Sequence, residues 1–121
     1  YGLLVWGSQQ DTVFEAVDQL NEAGESVKAL GVSDLMPYPE QEVTAFLESV
    51  ESCLVVEMNA SAQFRGLTQK ELGRFGPKLN SLLKYNGEAF EPSEVVEGFE
   101  RIVSRDAAIP EGTKFVPAAG D

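Results

Sequence analysis

Four apolar runs too short to be helices alternate with stretches whose apolar residues recur every three or four positions, and this alternation constrains the chain most. Leu3–Trp6 and Cys53–Val56 are continuous and apolar, the pattern of strands buried on both faces. Val27–Leu30, interrupted by Lys28, and Ser81–Tyr85 read as two further strands. Between them, Val13, Val17 and Leu20, widened by Phe14 and Ala16, make the first helical stripe, with Thr12 and Glu15 at capping-box spacing. Val43, Phe46, Leu47 and Val50 make the second stripe behind Pro39, read as the first helical residue. Phe64, Leu67, Leu72 and Phe75 make the third within Ala62–Phe75, ended by Gly76-Pro77. Val95, Val96, Phe99, Ile102 and Val103 make the fourth behind Pro92.

Strand–helix alternation of this kind predicts βαβ units with right-handed crossovers. The fold class is therefore α/β: a three-layer α/β/α sandwich with a mostly parallel sheet of four to five strands. Residues 1–104 form the domain, expected to be excised from a longer chain because Tyr1 falls within a strand pattern. Residues 105–121, with Pro110, Gly112, Pro117 and Gly120, read as a loosely ordered tail.

Composition removes several chemistries. There is one cysteine and no histidine, so the sequence offers neither a Ser-His-Asp nor a Cys-His pair, nor a cysteine set for an iron–sulfur cluster. Nine Lys+Arg against 20 Asp+Glu give a net charge of −11, a field that repels phosphates and argues against nucleic-acid and membrane partners. A lone cysteine and the lack of any long apolar run set a cytoplasmic expectation.

In such a sheet, ligands and partners are met at the carboxyl ends of the strands. Those ends carry Ser8, Asp34, Glu57, Asn59 and Asn86. Gly7-Ser8 stands where a phosphate loop would, but the further glycines and the lysine of such loops are missing, so a tight turn is the simpler reading. Glu57 is a candidate base or Mg²⁺ ligand; against that, Glu57 and Asn59 also suit pairing with backbone amides or a neighbouring domain. Cys53, inside the most apolar strand, reads as an inert thiol. Residues 64–84 carry Arg65, Lys70, Arg74, Lys78 and Lys84 against Glu71 alone, a basic face on an acidic chain that suggests docking or simply a solvated helix.

Four motifs then occur in order: Val5-Trp6-Gly7-Ser8, Leu35-Met36-Pro37-Tyr38-Pro39, Val55-Val56-Glu57-Met58-Asn59 with Gln63, and Lys84-Tyr85-Asn86-Gly87 with Phe90. Together, over residues 2–103, they resemble the transketolase C-terminal-like domain of the α subunit of 2-oxoacid:ferredoxin oxidoreductases, particularly the 2-oxoglutarate type. Ala62, where the family commonly has Gly, and Asn86, where it commonly has Asp, are departures. The resemblance implies an assembly domain of an enzyme that oxidatively decarboxylates a 2-oxoacid to an acyl-CoA. That enzyme would use thiamine diphosphate with Mg, an iron–sulfur cluster and coenzyme A, none of them held by this segment. The implied partners are the remaining α-subunit domains, the thiamine- and cluster-binding β subunit, and ferredoxin. An antiparallel edge strand usual in the family is expected to lie before Tyr1 and to be missing, which would leave a sheet edge open to self-association. No catalytic, cofactor or metal residue is assigned; the candidate interface is Ser8, Glu57, Asn59, Gln63, Arg65, Lys70 and Arg74. The alternative is a free-standing, flavodoxin-like acidic module that docks a partner through the 64–84 face; a small enzyme built on Ser8 or Glu57 is the third reading.

Overall fold

The computed structural model describes residues 1–33, 35–59, 61–104 and 106–118. Asp34, singled out above at a strand end, lies outside the described residues. The elements in chain order are β1 (Gly2–Trp6), α1 (Gln10–Glu22), β2 (Lys28–Val32), α2 (Glu40–Glu48), β3 (Cys53–Glu57), α3 (Gln63–Glu71), a 3₁₀ turn (Gly73–Lys78), β4 (Leu79–Lys84), α4 (Pro92–Val103) and β5 (Thr113–Val116).

They form a five-stranded sheet in the order β2-β1-β3-β4-β5. β1 to β4 run parallel, and β5 pairs antiparallel with β4, Leu82 opposite Phe115. Alternation along the central strands divides the core into two layers. Leu3, Val5, Leu54, Val56 and Leu82 pack on one face with Val13, Ala16 and Leu20 of α1 and Val95 and Phe99 of α4. Leu4, Cys53, Val55 and Leu79 pack on the other with Val43, Phe46 and Leu47 of α2 and Phe64 of α3. Fully burying an aromatic such as Phe64 or Phe99 is worth about 1.5–3 kcal/mol, so each helix is held by its apolar face more than by its propensity.

Several local expectations are corrected. Helix α1 starts at Gln10 rather than at a Thr12–Glu15 capping box. The capping contact occurs at α4 instead, where Glu91 N–H donates to Glu94 Oε1 at 2.8 Å with Pro92 in the first turn. Pro39 is the residue before α2, not its first. Phe14 and Val103, expected inward, are exposed. The third helical segment breaks at Leu72 into a 3₁₀ turn that contains Pro77, since proline cannot donate to a continuing helical ladder.

The larger correction concerns the tail and the edge strand. The antiparallel strand expected before Tyr1 is instead β5, inside the segment read as loose. Two buried side chains hold that segment. Arg65 Nη1 donates to the Val116 carbonyl at 2.9 Å and Nη2 to the Pro117 carbonyl at 2.7 Å. Asn80 Oδ1 accepts the Ala118 N–H at 2.9 Å. β5 therefore covers the β4 edge, and the sheet ends there on a short strand.

Candidate functional site

In the order β2-β1-β3-β4 the chain crosses from one side of β1 to the other, which places a crevice at the carboxyl ends of β1 and β3. Two polar side chains there, Glu57 and Asn59, are committed inward. Glu57, the last residue of β3, is 2 % exposed. Its Oε1 accepts the Phe64 N–H at 2.7 Å and Asn59 Nδ2 at 2.8 Å, and its Oε2 accepts the Arg65 N–H at 3.0 Å. Asn59 Oδ1 in turn accepts the Ser61 and Gln63 amides at 3.1 and 3.3 Å. The N-terminus of α3 lacks a cap of its own, because Ala62 before it stands in the left-handed region at φ 53°. The strand-end carboxylate replaces that cap, satisfying orphan donors and complementing the helix dipole. It occupies the position a bound phosphate or carboxylate would take at such a helix end.

Of the candidate interface residues, Glu57, Asn59, Gln63 and Arg65 are thus brought together, as a folding device. Ser8 is exposed in the turn after β1, and the Gln63 side chain is exposed. Lys70 and Arg74 lie at the far end of α3, away from that cluster.

The basic face does not form. Arg65 is 7 % exposed, with Nη1 also donating to Ser81 Oγ at 3.1 Å. Burial lowers the Arg65 pKa from its ordinary value, and the charge of Glu57 opposes that shift. Lys78 donates to the Leu47 and Val50 carbonyls, both at 2.8 Å. Lys84 is buried, paired with Glu94 at 2.8 Å and bonded to the Ala89 carbonyl at 2.9 Å. Arg74 covers the Phe75 ring at 4.6 Å and lies 3.7 Å from Glu48. Counting charges along the sequence overstated the surface, because long cationic chains also bond internal carbonyls.

The chemistry of the remaining groups does not fit the cofactors that the resemblance raised. Cys53 is fully buried in β3, and burial pushes its thiol up to about 12, unsuited to ligating a cluster. At the crevice, a diphosphate would meet the Glu57 carboxylate where its helix donors should be. No step is assigned to either group in this chain.

The sequence family model described as "Pyruvate:ferredoxin oxidoreductase core domain II" matches residues 1–95. The chain belongs to this family. Among curated proteins, the α subunit of 2-oxoacid:ferredoxin oxidoreductase 2 from Aeropyrum pernix is 30 % identical over 101 residues, covering 84 % of this chain and 15 % of that protein. The 2-oxoacid:ferredoxin oxidoreductase α subunit of Saccharolobus solfataricus is 23 % identical over 103 residues, covering 85 % and 16 %. The chain therefore spans about a sixth of the curated relatives it matches. Among solved structures, the α chain of a probable 2-oxoacid ferredoxin oxidoreductase from Thermoplasma acidophilum matches with a TM-score of 0.50 and 26 % identity, over 84 % of this chain and 87 % of that one. The five-stranded, mostly parallel α/β architecture is that of the oxidoreductase α-chain domain.

Proposed function

We propose that this domain is a non-catalytic assembly part of a 2-oxoacid:ferredoxin oxidoreductase. The observation that carries the reading is the fate of Glu57. The carboxylate at the end of β3 is buried and engaged by three donors, so it is not free to take a proton from a substrate. In this reading the parent enzyme converts a 2-oxoacid to an acyl-CoA. Thiamine diphosphate with Mg, the iron–sulfur cluster and the coenzyme A site lie on other domains or on the β subunit, and ferredoxin takes the electrons. The resemblance is to the 2-oxoglutarate type, which makes 2-oxoglutarate the substrate proposed. A cytoplasmic location fits that chemistry; among the described residues no helix is long and apolar enough to cross a membrane. The free-standing module docking through residues 64–84 loses its support, since Arg65, Lys78 and Lys84 point into the domain.

The test is native affinity purification on this chain, with mass spectrometry of what is retained and dye reduction driven by a 2-oxoacid and coenzyme A. Retention of thiamine- and cluster-binding polypeptides with turnover fastest on 2-oxoglutarate supports the proposal. Turnover fastest on pyruvate or a branched-chain acid corrects the substrate, and retention of unrelated proteins without such turnover overturns the assignment.

A further inference from the structure

Although Glu57 and Asn59 turn inward at the crevice, large apolar side chains beside it turn outward. Trp6 at the end of β1 is 37 % exposed, Met36 after β2 91 %, Met58 after β3 40 % and Tyr85 after β4 57 %. β1 thus ends on an exposed Trp, β3 and β4 are followed directly by an exposed Met and Tyr, and the loop after β2 carries an exposed Met. Trp6, Met58 and Tyr85 stand on one rim of the sheet, at the same end of three neighbouring strands: at the end of β1 and just past the ends of β3 and β4. Trp6 is braced from below by Phe64, 6.2 Å away. These residue types dominate the centres of protein interfaces, where they bury much area at small entropic cost.

Exposed charge at the same end is mostly acidic. Asp11 in the first turn of α1, Glu40 and Glu42 in the first turn of α2, Glu88 and Glu91 before α4, and Glu111 before β5 all stand at this end and are exposed. The cations nearby are withdrawn: Arg65 and Lys84 are buried, and Lys114, on the outer strand, is the exposed exception among the described residues. Lys28, Lys70, Arg74 and Arg101 lie at the opposite end of the strands and helices.

We infer that this rim is the docking face of the domain, and that it seats a neighbouring domain of the same oxidoreductase through an apolar patch ringed by lysines or arginines. An apolar centre with an acidic border selects such a partner by charge complementarity. A second copy of this chain is disfavoured, because two acidic borders would face each other. The inference rests on the assembly reading and names the surface that performs it.

The experiment is hydroxyl-radical footprinting of the natively purified enzyme, followed by zero-length carbodiimide cross-linking. With rates corrected for intrinsic reactivity, Trp6, Met36, Met58 and Tyr85 are expected to be labelled severalfold more slowly than exposed Phe14 of the same chain. Glu40, Glu42, Glu88 or Glu111 should cross-link to lysines of another domain. Tyr85→Glu with Met58→Glu, both at exposed positions, should weaken association at least ~10-fold (about 1.4 kcal/mol) while the melting temperature stays within a few degrees. Labelling of the rim at the Phe14 rate in an enzyme with its partner subunits present overturns this inference and leaves the assembly reading standing. Cross-links that join two copies of this chain also overturn it. A chain purified without partners overturns the assembly reading and this inference with it.

Discussion

Replacing Glu57 by Gln removes one charge and converts one acceptor into a donor at a fully enclosed position. In the wild type the two carboxylate oxygens accept from Asn59 Nδ2, Phe64 N–H and Arg65 N–H at 2.8, 2.7 and 3.0 Å. The amide oxygen of Gln can keep the first two, but its NH₂ then faces the Arg65 N–H, and that buried donor loses its partner at a cost of about 1–3 kcal/mol. Loss of the negative charge from the helix N-terminus adds ~0.3–2 kcal/mol, and the retained bonds weaken because they are no longer charge-assisted. The expected sum is about 3 kcal/mol, a large part of an ordinary domain's stability. With a urea dependence of ~2 kcal/mol per molar, the unfolding midpoint should fall by about 1.5 M. Amide exchange should rise first in Phe64, Arg65 and Gly66, at the start of α3. A midpoint shift under ~0.5 M (about 1 kcal/mol) with α3 still protected would refute the capping account and return Glu57 to the list of candidate bases.

Three further outcomes follow from the same contacts. Arg65→Met removes the donors to Val116 and Pro117, and one charged hydrogen bond is worth about 1.5–3 kcal/mol; exchange protection in β5 should drop by roughly 10–100-fold while β1 and β3 hold theirs, as read by hydrogen-exchange mass spectrometry. Burial would raise the carboxyl of Glu94, but the hydrogen bond and charge of Lys84 and the Glu91 amide together lower it from its ordinary value of 4.5. Its contribution is then complete above that value and is lost as pH falls through the folded pKa, so in pH-dependent melts the advantage of wild type over Glu94→Gln should shrink on acidification. A Cβ on Gly98 would press into the Leu82 side chain, whose Cδ1 lies 2.9 Å from that position, within the core between α4 and β4; Gly98→Ala should cost about 1–3 kcal/mol in urea unfolding, outweighing its gain of up to ~1 kcal/mol in helix propensity.

How far the sequence disclosed this molecule depends on whether a residue's environment is local. β1 and β3 were legible because a strand buried on both faces must be continuously apolar, and the helices flanking them because their stripes follow the helical period. β5 was not: Thr113–Val116 is four residues long between Gly112 and Pro117, and it is held by Arg65, far away in the chain, and by β4. Arg65 itself left a trace that charge counting hid, since Phe64, Arg65 and Thr68 make up the buried side of α3. The capping role of Glu57 had a trace too: no Ser, Thr, Asp or Asn directly precedes Gln63, so the helix had to borrow a cap. Trp6 was read as buried because it belongs to the apolar run of β1, and yet it emerges at the strand's end.

The central claim is that this domain assembles an oxidoreductase without taking part in its chemistry. The most direct measurement is kcat per assembled complex for the enzyme carrying Ser8→Ala and Gln63→Ala, the exposed polar residues flanking the crevice, with complex stoichiometry read in parallel by native mass spectrometry. The account predicts kcat within about twofold of wild type, under ~0.5 kcal/mol of barrier, at unchanged stoichiometry. A fall of more than ~10-fold in kcat (about 1.4 kcal/mol) in complexes that remain fully assembled would contradict it.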